Sequence, residues 1–255
     1  MKIAVCYKNV PDSEKIRVAA DNTLDFSAAP PQIGQYDLNA VEAAVQIAVQ
    51  RPGAEVIALT AAGAVIDNSK QRKAILSRGV DKMIGIKGED LDSAETYEVA
   101  FALASAVKEL GDIDLVICGE GSADMYSQQT GVTLGAILGW SNVNAVASIG
   151  FDGDGLIVRR DTENSSELIR VQFPAVLSVT SDINRPRIPS MKDILAAGKK
   201  QVEVLDAVEL GHCGRRAVAA MELRANVQKE RRRQIYEAVS DEALDAVAQE
   251  LRKLM

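Results

Sequence analysis

The sequence predicts an α/β chain: a Rossmann-like, mostly parallel sheet with helices on both faces, an antiparallel hairpin addition and an extended C-terminal helical arm. Three observations predict it. Short apolar runs alternate with amphipathic helical stretches, and the runs are apolar at every position rather than at every second one. The pattern then changes twice, once after Leu138 and again near Ala207. Strands apolar on both sides belong to parallel sheets covered by helices.

Taken in order, Ile3 to Tyr7 is a buried strand, bounded by Lys8-Asn9-Val10-Pro11-Asp12. Leu38 to Gln50 spaces Val41, Val45, Ile47 and Ala48 as a helix does, with Asp37 as the expected N-cap. Pro52-Gly53 ends it, and Glu55 to Thr60 is the next strand. Ser69 to Arg78 reads as a helix closed by Gly79 in the left-handed position. Met83 to Ile86 is a short strand and Ser93 to Leu110 a long alanine-rich helix. Leu115 to Cys118 is a strand, followed by a glycine loop and a helix from about Tyr126 to Leu138. Leu156 to Arg160 and Leu168 to Val171 flank a polar turn and read as a hairpin, and Ala175 to Val179 returns to an apolar strand.

The 255 residues divide into a nucleotide-binding α/β domain, 1–206, and an arm, 207–255. The arm carries nine Lys or Arg against eight Asp or Glu, whereas the whole chain has a net charge of −7. Its last stretch, Ser240 to Leu254, places Leu244, Val247, Leu251 and Leu254 on one helical face, which needs a surface to cover it. The basic run Lys229-Glu230-Arg231-Arg232-Arg233 reads as a solvated face or as a patch for an acidic partner.

Composition excludes several functions. The 47% hydrophobic and 25% charged content is that of a globular chain. Aromatic residues at 4% are too few for a base-stacking surface, and a net anion attracts neither nucleic acid nor acidic lipid. No apolar run approaches the ~20 residues of a membrane span. The three cysteines are widely spaced, giving neither a disulfide framework nor a zinc pattern, so the chain is expected to be cytoplasmic and reduced. His212 is the one histidine; His212-Cys213 reads as a surface loop rather than a catalytic dyad. No metal cluster, Ser-His-Asp set or carboxylate pair can be assembled, so no catalytic residue and no metal site are expected.

The best local signal is Gly119-Glu120-Gly121-Ser122-Ala123-Asp124-Met125-Tyr126-Ser127-Gln128-Gln129-Thr130-Gly131, which leaves a buried strand and enters a helix. Such loops face the ligand crevice of parallel sheets, and the free N–H groups of a helix start hold phosphate. Glycines let backbone approach an anion. The wording is not the dinucleotide fingerprint, because Met125 or Tyr126 stands where a third glycine would, and no Gly-Lys-Ser/Thr P-loop exists. From the loop alone, a phosphate site and a plain strand-to-helix turn are both open. Gly34-Gln35-Tyr36-Asp37 could line the same crevice, or Asp37 simply caps and Tyr36 packs as a staple. Cys6 ends strand one, either as core filler or as a small residue beneath a ligand. Asn184-Arg185-Pro186-Arg187-Ile188-Pro189-Ser190-Met191-Lys192 offers Ile188 and Met191 beside cations, the pattern of a docking loop.

Several stretches together resemble the β subunit of electron transfer flavoproteins: Val5 to Asp12, Gln35 to Ala43, Leu76 to Asp81, Gly119 to Gly131, Phe173 to Val176 and Asp182 to Lys192, in order over roughly Met1 to Lys200. The Gln-Tyr-Asp-Leu-Asn, Leu-Ser-Arg-Gly and Ile-Pro-Ser-Met-Lys wordings resemble the FixA-like branch, associated with anaerobic acyl-CoA reduction such as carnitine metabolism. The resemblance implies a heterodimer with an α subunit holding redox-active FAD, and AMP or a second FAD in this chain, the latter with electron bifurcation. By position, the nucleotide site would use Cys6, Gly34, Tyr36, Asp37, Ala61, Gly119, Gly121, Ser122, Asp124, Gln128, Gln129 and Thr130, with Tyr36 near the α-subunit flavin. Ile188, Pro189 and Met191 would dock on an acyl-CoA dehydrogenase-type enzyme, and the arm would pack on the α subunit. The phosphate loop carries neither the acidic run of housekeeping members nor the Gly-Asp-Thr-Ala-Gln of bifurcating ones. The alternative is a stand-alone adenine-nucleotide sensor of universal-stress-protein type.

Overall fold

The computed structural model describes residues 1–212, Gly214, 223–227, 235–236 and 240–253. Among them nine strands form one sheet: β1 (Lys2–Cys6), β2 (Glu55–Ala62), β3 (Lys82–Lys87), β4 (Leu115–Gly119), β5 (Ser141–Asp152), β6 (Gly155–Asp161), β7 (Ser166–Val171), β8 (Ala175–Val179) and β9 (Val202–Asp206). Their order is β7-β6-β5-β8-β4-β1-β2-β3-β9. Only the pairs made by β6, with β5 and with β7, are antiparallel. The connecting helices are α1 (Gln35–Gln50), α2 (Ser69–Leu76), α3 (Thr96–Leu110), α4 (Thr130–Leu138) and α5 (Met191–Ala197), and the arm contributes α6 (Asp241–Arg252).

Side chains alternate across a strand, and β1 shows how both faces become core. Ile3 and Val5 join Val41, Ala44 and Val45 of α1 on one side. Ala4 and Cys6 join Ala100, Leu103 and Val107 of α3 on the other. Each large aliphatic side chain buried this way stabilises the fold by roughly 1.5–3 kcal/mol. Two-sided burial is therefore what the unbroken apolar runs encode.

The hairpin is present as expected, but the later strands are more than an addition. β8 inserts between β4 and β5, parallel to both, and β5 and β9 are strands that the apolar pattern does not announce. The helix boundaries also differ. α1 starts one turn early with Gly34 at its N-cap, so Asp37 is not the cap but sits inside the first turn. α3 starts at Thr96, closed by a reciprocal cap between Glu95 and Glu98, after a separate 3-10 turn at Glu89–Ser93. α2 ends at Leu76, and Gly79 takes φ +95° beyond the capping Ser77. α4 starts at Thr130 instead of Tyr126, because Tyr126 and Gln128 hold left-handed backbone (φ 45° and 56°) that a helix cannot contain.

His212 is buried, not on a surface loop, with Nε2 2.9 Å from the Asp90 carboxylate. Cys213, the basic run 229–233 and Leu254 lie outside the described residues. Leu244 and Leu251 of α6 are exposed.

Candidate functional site

After β1 the chain passes to β2 and β3 on one side, then crosses back to place β4 on the other. The β1–β4 boundary is thus a topological switch point, where adjacent loops diverge and leave a crevice. A cleft of about 760 Å³ opens there, lined by Cys6 at the end of β1, Tyr7 and Lys8 beyond it, Ala61 of β2, Cys118 and Gly119 of β4, the 120–130 loop and the approach to α3. Of the site residues read from the sequence, Cys6, Asp37, Ala61, Gly119, Gly121, Ser122, Asp124, Gln128, Gln129 and Thr130 line it. Gly34 and Tyr36 are not among the lining residues.

Asp37 fastens the cleft's base. Its carboxylate accepts the Lys8 N–H at 2.8 Å and a backbone N–H from Gly119, while the Gly34 N–H donates back to the Lys8 carbonyl at 3.0 Å. The first turn of α1 therefore joins the exits of β1 and β4. Burial raises the Asp37 carboxyl to about 7, opposed by the Lys8 and Gly119 N–H groups and the Lys8 charge. Gly119 is required by this packing: a Cβ there would lie 2.7 Å from the Asp37 carboxylate and 2.8 Å from the Tyr36 backbone.

Cys6 and Cys118 stand side by side, following the register Val5↔Ile117, and are free thiols. The hydrogen bond to Cys118 and burial hold the Cys6 thiol well above its usual range, so it is inert apolar floor.

The 120–130 loop is held from outside the cleft. The Tyr126 ring lies over Gly121, where a Cβ would overlap it. The Tyr126 hydroxyl donates to Glu120 at 3.1 Å; burial and that carboxylate push it to about 12, so it remains a donor. Inside, Lys8 Nζ reaches Asp124 at 2.5 Å. Burial would raise the Asp124 carboxyl, but the bonds from Lys8 and Ser122 hold it below its usual range. At the loop's end α4 begins with Gln129 at its N-cap and no side chain capping it. Gln128, Gln129 and Thr130 line the cleft at this uncapped start.

Sequence reasoning missed Tyr7, Lys8, Asp92 of the 3-10 turn, the α3 start (Glu95, Thr96, Tyr97) and Leu223 of the arm as lining residues. Tyr7 and Lys8 were legible as the first residues after Cys6; the others meet the cleft only through the crossover and the tail. Among the described residues no group of three His, Cys, Asp or Glu is placed to hold a metal ion.

The docking candidates lie on the connection from β8 to β9, which crosses α1. Asn39 Nδ2 donates to the carbonyls of Ser181 (3.0 Å) and Asn184 (2.9 Å), and Asn184 Nδ2 donates to the Asn39 carbonyl at 3.0 Å. Arg187 is clasped by Glu42 through Nε (2.6 Å) and Nη2 (3.1 Å). Ile188, 93% exposed, and Met191, 73% exposed, point away with Leu195 beside them; Pro189 between them is half-buried.

A family model described as the electron transfer flavoprotein domain matches residues 22–210. The chain belongs to the electron transfer flavoprotein domain family. The match spans α1, every helix and strand around the cleft except β1, and the α1-clasped loop. Electron transfer flavoprotein domains serve electron transfer, generally without substrate chemistry of their own, and work with partner flavoprotein subunits and dehydrogenases. Among the described residues no helix is long and apolar enough to cross a membrane.

Proposed function

We propose that this chain is the β-type subunit of a heterodimeric electron transfer flavoprotein of the FixA-like branch, binding an adenine nucleotide, AMP or a second FAD, in the cleft at the switch point. The observation that carries this reading is the uncapped start of α4 opening on a cleft already rich in hydroxyl and amide donors (Ser122, Ser127, Gln128, Gln129, Thr130). Free N–H groups at a helix start, with donor side chains around them, suit a phosphate. The residues present therefore fit an adenine nucleotide, although the glycines serve protein packing as much as ligand approach.

The redox chemistry would be supplied by FAD held mainly by the partner subunit. This chain's own part is to bind, orient and shield. The 1–206 body would carry the nucleotide, and the 207–255 arm, with exposed Leu244 and Leu251, would pack on the partner in the cytoplasm. Ile188 and Met191 would dock the carrier on an acyl-CoA dehydrogenase or reductase.

Co-expression with the neighbouring gene product, purification and quantification of released nucleotide test the reading. FAD and AMP in equal amounts support a one-flavin carrier; two FAD without AMP make it a bifurcating one. A chain that stays alone, without flavin, overturns the reading in favour of a nucleotide sensor.

A further inference from the structure

The arm is fastened to the body at two places beside the cleft. Its root sits on the 3-10 turn before α3. The buried His212 ring meets the Asp90 carboxylate at 2.9 Å, and Gly214, at φ +60°, packs so closely that a Cβ would lie 2.5 Å from the same carboxylate. Leu91, Asp92 and Ser93 of that turn line the cleft. The second fastening is on the chain that leaves β1. There Arg17–Val18 and Leu24–Asp25 pair as a short hairpin, whose tip carries Asn22 in left-handed backbone at φ 66°. The Ala225 N–H donates to the Asn22 carbonyl at 2.8 Å, Arg224 bridges Thr23 in antiparallel register, and the Arg224 guanidinium reaches the Asp21 carbonyl at 3.5 Å. Leu223, next to this bridge, lines the cleft.

The two fastenings differ in strength. At the root Ala207 is fully buried in the core under α3, with Leu205 and Leu210 packed against it. The second is one bridge between surface segments, and Leu223 beside it is 54% exposed. Segments held by few buried contacts and by solvent-exposed hydrogen bonds open locally at little cost. One net hydrogen bond shifts such an equilibrium roughly 2- to 10-fold. A firm root, a weak outer attachment and an apolar side chain facing the cleft between them are the parts of a lid.

We propose that residues 223–225 are a latch on the cleft: paired with the 21–23 tip they hold Leu223 against the bound nucleotide, which enters and leaves when the pairing opens. The proposal rests on the nucleotide reading above and adds a gate to it. The arm that would pack on the partner subunit thereby also sets how fast nucleotide exchanges.

The test uses the purified full chain with any subunit that co-purifies, loaded with isotope-labelled AMP and chased with excess unlabelled AMP. Ala225→Pro removes the N–H that meets Asn22. It should speed release roughly 2- to 10-fold and speed binding as well, because a gate acts on entry and exit alike, so that affinity changes less than either rate. The latch can also be locked. With Ala225 bonded to Asn22, Thr23 and Arg224 form a non-hydrogen-bonded antiparallel pair, whose Cα atoms stand about 4.5 Å apart, within reach of a disulfide. A chain carrying Thr23→Cys and Arg224→Cys is loaded with AMP and then oxidised with glutathione disulfide, which takes up the two electrons and two protons of the thiols. It should retain the label at least tenfold longer than the same protein after reduction by dithiothreitol. A locked protein that releases AMP as fast as its reduced form overturns the latch and leaves the nucleotide site standing. A wild-type protein that retains no adenine nucleotide removes both.

Discussion

The Tyr126 ring packs on the Tyr36 ring with centroids 5.3 Å apart and planes tilted by 43°. This contact joins the loop after β4 to the first turn of α1, and it accounts for a backbone conformation that local preferences disfavour. Left-handed non-glycine residues cost about 1 kcal/mol or more and persist where their surroundings fix them. Tyr126→Ala should release the loop and weaken nucleotide binding roughly tenfold, with melting temperature little changed because the ring is half-exposed. Tyr126→Phe keeps the ring contact and should lose much less. Nucleotide titration beside a thermal melt separates these outcomes.

Gly121 is explained by the same ring. Gly121→Val should displace Tyr126 and lower bound nucleotide, while the core, remote from the loop, keeps its stability. The informative comparison is the valine placed in a Tyr126→Ala background. If the glycine serves the ring, valine costs nothing further there; a continued loss of nucleotide would show that Gly121 faces the ligand itself.

Asp37 predicts a pH dependence of stability. Its carboxyl is raised to about 7 in the folded chain by burial, so the folded state binds the proton more tightly than the unfolded one. Its contribution is fully present below about pH 4 and is lost as pH rises through about 7. A shift of about three units corresponds to a few kcal/mol. Denaturant unfolding from pH 5 to 8 should show wild-type stability falling across this window beyond the trend of other groups. Asp37→Asn should lose that slope, although its amide cannot accept both N–H bonds and lowers stability by roughly 1–3 kcal/mol at acid pH. An unchanged slope in the variant would show that another group titrates.

The parallel centre of the sheet was legible because Ile3 to Tyr7 and Leu115 to Cys118 are apolar on both faces, a pattern with one common origin. β5 was not: Asn142, Asn144 and Ser148 dilute its apolar positions, since one of its faces is only half covered. β9 is a short edge strand whose Glu203 and Asp206 look outward. The sequence does not show where α4 starts, because tertiary ring contacts at Tyr126 override a helical pattern. Aspartate favours the N-cap position, but the Asp37 carboxylate is claimed by the Lys8 and Gly119 N–H groups. The residues of the 119–131 loop that line the cleft could be read from their order along the chain. Lys8 pairing with Asp124 spans 116 positions, and no local pattern encodes it.

Glu42 is buried and Arg187 partly exposed. Burial alone would raise the Glu42 carboxyl, but hydrogen bonds from Arg187 and Gln46 and the Arg187 charge hold it below its usual range. Glu42→Gln should therefore cost about 1–3 kcal/mol, less than a fully buried pair because the guanidinium is solvated on one side. The effect should be local: faster amide exchange over residues 181–190, with the 119–131 loop unchanged. Exchange that accelerates equally in both segments would mean that α1 itself has loosened.

Ile188 gives the sharpest test of docking. A side chain 93% exposed contributes almost nothing to folding, so Ile188→Ala should leave denaturant stability within about 0.5 kcal/mol of wild type. An apolar anchor buried at an interface is worth about 1–2 kcal/mol, or roughly 5- to 30-fold in affinity. The variant should thus retain its nucleotide and flavin content yet transfer electrons more slowly to an acyl-CoA dehydrogenase at limiting carrier, with the deficit abolished at saturating carrier. Such a shift in apparent affinity without a change in maximal rate separates docking from electron transfer within the complex. If the maximal rate falls instead, Ile188 acts on the geometry of transfer; if neither changes, the docking surface lies elsewhere on the chain.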